Sequence, residues 1–209
     1  LPPKPIILAF DTAAAHCAAV LVQGDEILAT TIEPMTKGQA ERLLPLIENL
    51  LSGANVAWSD LAAIAVGTGP GNFTGIRISV SAARGLALSL GIPSIGVSRL
   101  DAMAFGTEGD CTALIDARQS RLYVQDFTDG TAQTDVRIVP LDTFAPSHPP
   151  LCDAEVGTIA TLIPTETALA NAARIAATRL GTDQPRPAPL YVRVPDAALP
   201  SDPPPTILP

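Results

Sequence analysis

Apolar and polar positions along the first hundred residues change period in a regular way, and the changes predict the order β-β-β-α-β-α-β. The run from Ile6 to Phe10 is apolar throughout and ends in Asp11-Thr12, the pattern of a buried strand that delivers a carboxylate at its end. "CAAVLV", "QGDE" and "ILATTI" follow as two strands around a hairpin turn at Gly24-Asp25. From Gln39 the apolar residues recur at helical spacing, at Leu43, Leu46 or Ile47, and Leu50, with Gly53 as the stop signal. Pro45 removes a hydrogen bond inside that helix and predicts a kink. A buried strand over 63–68 then runs into "GTGPGNFTG", a helix over 74–90 leaves it and stops at Gly91, and "SIGV" adds a further strand.

Beyond residue 98 the signals are shorter. Ser98 with Asp101 three residues on has the form of a capping box opening a short helix around 100–105. "CTALID" and "RLYVQDF" read as strands joined by the turn "ARQS", "DVRIV" as a third, and 165–180 as an alanine-rich helix stopped by Gly181. From Gln184 onward nine of the chain's 21 prolines gather, which predicts extended backbone with "PLYVRV" as its one strand. The expected division is an N-terminal lobe over 1–104 and a shorter C-terminal lobe with a proline-rich tail over 105–209.

The glycine-rich turn is the first candidate for chemistry. A strand, a glycine turn and a helix start is the layout of phosphate loops, because free N–H groups at the helix start point into the turn. Gly69, Gly71 and Asn72 are therefore anion-site candidates. Against them, Gly67, Gly69, Gly71 and Gly75 do not fall at Gly-x-Gly-x-x-Gly spacing, no Lys-Ser/Thr follows, and Pro70 lacks an N–H. A joint that lets the helix pack close to the sheet fits the residues better. Elsewhere the hydrolytic repertoire is thin. His16 and His148 stand alone without zinc spacing, there is no Gly-x-Ser-x-Gly elbow, and Asp116 with Arg118 reads as a solvated hairpin. The three cysteines, Cys17, Cys111 and Cys152, are scattered and read as buried reduced thiols. No metal and no cofactor is expected.

Composition narrows the partners. With 47% hydrophobic and 16% charged residues the chain has the balance of a globular protein with one substantial core or two modest ones. Neither a membrane-length apolar run nor the layout of a signal peptide is present in the sequence, so no membrane role is expected and the cytoplasm is the expected location. A net charge of −8, from 13 basic and 21 acidic residues, makes the chain alone a poor ligand for nucleic acid.

The stretches "ILAFDTA", "ERLLPLIENLL", "AIAVGTGPGNFTGIRISVSAARGLALSLGIPSIGVSRLDAMA", "ALIDARQSRLYV" and "PLYVRV", in that order, closely resemble the TsaB family, also called YeaZ. The likeness is dense over 6–126 and thins afterwards. It implies an α/β, two-lobed actin-like (ASKHA, RNase H-like) fold of the glycoprotease-like superfamily with a shortened second lobe. It also implies a non-catalytic scaffold that activates a TsaD-like catalytic subunit, with a TsaE-like ATPase, in threonylcarbamoylation of adenosine 37 of tRNAs reading ANN codons. The contact with tRNA would then come through the complex, and a homodimer would form when the chain is alone. The "DTAAAHC" turn has no glycine and the chain has no Gly-Gly pair, which agrees with a lost ATP site. Where the family has Arg-x-His before the first helix, this chain has Lys37 and Gln39. A glycoprotease-type (M22-like) peptidase and a small ASKHA-fold kinase are the alternative readings, disfavoured by the missing paired histidines and glycine hairpins.

The expected docking surface joins the helix over 39–51 to the helix over 74–90. Leu43, Ile47 and Leu50 can face the sheet, which leaves Leu46 and Leu51 beside Ile78, Ala82 and Leu86 without an obvious internal partner. Ser79 and Ala82 would keep the approach close, and Arg42 joins the set. From the charge balance, the lone chain is expected to bind tRNA only in the non-specific range of about 10⁻⁴ to 10⁻⁶ M at physiological salt. A filter-binding titration checks this, and a submicromolar Kd would contradict it.

Overall fold

The computed structural model describes residues 4–153 and 160–192. β1 (Ile6–Asp11), β2 (His16–Gln23) and β3 (Glu26–Pro34) form an antiparallel meander. α1 (Gln39–Gly53) and a single 3-10 turn (Trp58–Asp60) lead to β4 (Leu61–Gly67), and α2 (Phe73–Leu90) leads to β5 (Ser94–Val97). β4 and β5 add in parallel to give the order β3-β2-β1-β4-β5. After α3 (Arg99–Ala104), a second sheet is built from β6 (Asp110–Asp116), β7 (Arg121–Thr128), β8 (Thr131–Ala132), β9 (Arg137–Pro140), β10 (Pro150–Cys152) and β11 (Thr161–Leu162). Its order is β11-β10-β6-β7-β8, with β9 also paired to β7. α4 (Thr165–Thr178) follows.

Alternation within β1 explains its unbroken apolar run. Leu8 and Phe10 face one core with Leu43, Ile47, Ile76 and Val80 of α1 and α2. Ile7 and Ala9 face another with Leu169, Ala173 and Ala176 of α4. Successive strand side chains point to opposite faces, so a strand covered on both sides needs apolar residues at every position. On the α4 side the contact is alanine against alanine: Ala172, Ala173 and Ala176 share a core with Ala9, Ala18, Ala63 and Ala65, which lets helix and sheet approach closely. The chain therefore leaves the first sheet at α3, builds the second, and returns with α4 to close the first. Asn171, buried in this helix, secures the return by donating from Nδ2 to the Ala102 carbonyl of α3 at 2.9 Å. A division of lobes at residue 104, as proposed from the sequence, leaves α4 as part of the first lobe's packing.

Leu46 and Leu51 correct the expected docking surface. Both are buried, at 0% and 3% exposure, in the core with Leu43, Ile47 and Leu50. The apolar arc of α1 covers i, i+3, i+4, i+7 and i+8, and a helix seated in the angle between a sheet and a second helix buries the whole arc. Ser79 is buried as well, its Oγ donating to the Ile76 carbonyl at 3.1 Å, so it cannot line a surface. The large apolar residues left in solvent on these helices are Leu44, Phe73 and, at 86% exposure, Leu88. Pro45 is exposed and α1 runs through it as one helix. Residues 189–192 of "PLYVRV" form no strand, and 193–194 lie outside the described residues. The close fit of α4 makes Ala173→Leu an overpacking change expected to cost about 1–3 kcal/mol, whereas Leu88→Ala is expected to stay within about 0.5 kcal/mol. Urea denaturation of both variants measures the contrast.

Candidate functional site

At the end of β1 the chain delivers Asp11 into the interior, where the residue is 3% exposed. Oδ1 accepts from the Ala13 N–H at 2.8 Å and lies 3.3 Å from His16 Nε2. Oδ2 has no hydrogen-bond partner among the described residues. Burial by itself pushes this carboxyl up, but the His16 hydrogen bond, the Arg99 charge and the Ala13 N–H together outweigh it and hold the group below its ordinary 3.8. A small space of about 30 Å³, room for about one water, adjoins Asp11, His16, Gly67 and Arg99.

The glycine turn closes around this corner at van der Waals limits. A Cβ on Gly67 would lie 1.9 Å from Asp11 Oδ2, and one on Gly75 would lie 1.9 Å from the Thr12 carbonyl oxygen. Gly69 has φ +93°, in the left-handed region that favours glycine. Thr12 Oγ1 donates to the Gly75 carbonyl at 2.6 Å and the Asn72 N–H donates to the Ala13 carbonyl at 2.7 Å, so the two backbones are stitched together. Asn72 is also the N-cap of α2, its Oδ1 accepting from the Gly75 N–H at 2.9 Å. Arg99, the first residue of α3, donates its backbone N–H to the Gly69 carbonyl at 2.8 Å and Nη1 to the Pro70 carbonyl at 3.0 Å, while Nη2 pairs with the Asp153 carboxylate. Among the anion-site candidates, then, Asn72 has both its N–H and its side chain engaged, and the Gly69 carbonyl is held by Arg99. Nothing in "SRLD" beyond its capping pattern marked Arg99 as the residue that joins the glycine turn to the second sheet.

Beside this joint a cleft of about 750 Å³ separates the 13–15 turn and the start of α2 from the β6–β7 turn. Asn72, Phe73, Arg99, Asp116, Arg118 and Tyr191 line it. Asp116 Oδ1 accepts from the Arg118 N–H at 2.8 Å, and both side chains are exposed, as a solvated hairpin requires. Gln39 reaches the cleft with Nε2 donating to the Met35 carbonyl at 3.1 Å, and Lys37 is exposed. His148 is 3.8 Å from Asp110, so the two histidines sit in separate places, each near one carboxylate. Among the described residues no three His, Cys, Asp or Glu side chains gather as a metal site. All three cysteines are buried and free, and burial, with the Glu33 carboxylate adding to it, pushes the Cys17 thiol up to about 11. Among the described residues no helix is long and apolar enough to cross a membrane.

The surface named from the sequence divides. Ile78, Ala82 and Leu86 lie half-buried along one side of α2, and a Cβ on Gly85 beside them would meet nothing within 4 Å. Arg42 is tied to Glu33 of β3 by two hydrogen bonds of 2.6 and 2.5 Å, and this pairing lowers the Glu33 carboxyl below its ordinary range.

Two sheets with a cleft between them, the first ordered β3-β2-β1-β4-β5 with helices on both faces, make this an α/β actin-like (ASKHA) fold. The family described as TsaD, tRNA N6-adenosine threonylcarbamoyltransferase, matches residues 26–141. The tRNA threonylcarbamoyladenosine biosynthesis protein TsaB of Escherichia coli is 37% identical over 126 residues, 58% of this chain. The aligned part spans 54% of that protein's length. An uncharacterized protein of Mycobacterium tuberculosis is 33% identical over 197 residues, 91% of this chain and 93% of that protein. The structure of YeaZ from Pseudomonas aeruginosa superposes with a TM-score of 0.71 at 26% identity, covering 90% of this chain and all of that one. The chain belongs to the TsaB/YeaZ family of glycoprotease-like proteins.

The lowered pKa of Asp11 carries a sign for acid stability. Its folded form binds fewer protons than the unfolded chain below neutrality, so its stabilisation is complete above the unfolded value near 3.8 and drains away as pH falls through the still lower folded value. Asp11→Asn removes that dependence. The stability gap between wild type and Asp11→Asn, measured by urea titration, is expected to be largest near neutral pH and to narrow toward pH about 3.

Proposed function

We propose that this chain is an accessory, non-catalytic subunit in tRNA threonylcarbamoyladenosine biosynthesis, docking on a TsaD-like catalytic subunit. A TsaE-like ATPase completes the assembly, and a second copy of this chain takes the docking face when the partner is absent. The single observation that supports the non-catalytic reading is the state of the Asp11 corner. Its Oδ1 is engaged by His16 and the Ala13 N–H, the nearby Arg99 charge favours its ionised form, and the glycine turn is stitched to the Thr12–Ala13 backbone. A phosphate would have to displace the Ala13 carbonyl from the Asn72 N–H to use that donor.

The docking face is the outward side of α2, with Ile78, Ala82 and Leu86 half-buried, Gly85 open and Leu88 in solvent. Leu44 of α1 adds a second exposed apolar side chain. A fully exposed leucine that becomes buried at a subunit seam contributes about 1.5–3 kcal/mol of transfer free energy. Arg42 is held to Glu33 of β3 by its ion pair and is left out of the face. The acidic balance of the chain leaves RNA contact to the partner.

Ala82→Arg places bulk and charge on this face while leaving the buried positions of α2 untouched. The variant is expected to keep the wild-type circular dichroism and melting behaviour and to lose co-purification with the TsaD-like protein of its own cell. A well-folded variant that still pairs would overturn the assignment of the face.

A further inference from the structure

Residues 189–192, the described part of "PLYVRV", form no strand, and Leu190, Tyr191 and Val192 line the cleft instead. We propose that residues 184–192 form a detachable strap that closes one side of the cleft, latched to the first turns of α2 through Tyr191. The proposal rests on the docking role of α2 only for what would act on the latch; the strap itself belongs to the lone chain.

The segment crosses from the first sheet to the second. Pro187 is buried against β5, where a Cβ on Gly96 would lie 3.4 Å from Pro187 Cα. The Leu190 N–H donates to the Thr68 carbonyl at the entrance of the glycine turn, at 2.8 Å. Tyr191 stacks on Phe73, with ring centroids 5.1 Å apart and planes at 29°. Its hydroxyl accepts from Arg77 Nε at 2.8 Å, and the same guanidinium lies 3.8 Å over the Phe73 ring. Val192 then packs on the second sheet's core beside Tyr123. Leu190, Tyr191 and Val192 are thus one wall of the cleft, and Phe73 and Arg77 belong both to that wall's latch and to the exposed side of α2.

The chemistry makes the strap stiff and its hold light. Pro185, Pro187 and Pro189 alternate, so every second residue has no N–H to offer and the segment cannot complete a strand ladder on the body. Proline also pre-extends the backbone, so the strap is held straight without pairing. The latch is half in water, with Phe73 46% and Tyr191 44% exposed, which places it at the low-stability end of the structure. A molecule covering the first turns of α2 would meet the latch directly, and opening the latch frees one wall of the cleft.

Hydrogen exchange read by mass spectrometry on the full chain tests this. Tyr191→Ala is expected to speed exchange in a peptide covering 186–192 by about tenfold, the loss of one aromatic stack, and to speed the first turn of α2, with β1 and β4 unchanged. Equal exchange at 186–192 in variant and wild type overturns the latch. So does wild-type exchange there at the rate of a free peptide. If Tyr191→Ala loses protection throughout, Arg77→Gln, which keeps both rings, replaces it under the same criterion: faster exchange at 186–192 supports the strap, and unchanged exchange rejects it.

Discussion

A buried carboxylate that must be neutralised in a space with no room for a side chain governs how this molecule is put together. Asp11 Oδ2 occupies the position a Cβ on Gly67 would need, so β1 and β4 can end side by side only with glycine there. An isolated charge in that position would cost many kcal/mol. The His16 hydrogen bond and the nearby Arg99 charge offset it, and Arg99 is held in place by the glycine turn at its backbone and by Asp153 at its far end. One chain of charges therefore runs from the first sheet through the glycine turn to the end of β10. Such partly buried pairs add little net stability over an apolar core, but removing one member strands the others, so they fix geometry more than they add free energy.

The same constraint connects fold to function. A phosphate loop needs free N–H groups and space, and here the Asn72 N–H is given to the Ala13 carbonyl, the Gly75 N–H to the Asn72 side chain, and the space beside Gly75 to the Thr12 carbonyl. What the close approach produces is a precisely seated helix. α2 turns Ile76, Val80, Ala83 and Ala87 into the core and keeps Ile78, Ala82, Leu86 and Leu88 toward the outside.

Much of this was legible from residue pattern because it depends on local rules. β1 to β5, α1, α2 and the two turns at Gly24 and Gly91 follow from periodicity and punctuation, and the structure places them within a few residues of expectation. The Ser98 cap was visible too, and its side chain accepts from the Leu100 N–H. What was not legible depends on where distant segments meet. The alanine-rich pattern of α4 says that it is a helix packed closely on something, not that its partner is the first sheet. β10 is an inner strand of the second sheet, yet it has three residues beginning with proline, below any periodic signal. Leu46 and Leu51 are surplus only for a helix packed against one surface, whereas α1 lies against two. The role of Arg99 could not be read from one sequence, since its partners lie 29 and 54 residues away.

The central claim is that the Asp11 corner and its glycine turn are a structural joint and not a nucleotide site. Isothermal titration of the purified chain with ATP and excess magnesium tests it most directly. The account predicts no saturable heat up to about 1 mM nucleotide, weaker than about −4 kcal/mol of binding. A stoichiometric complex with a micromolar Kd, lost in Gly71→Val or Asn72→Ala, would contradict it.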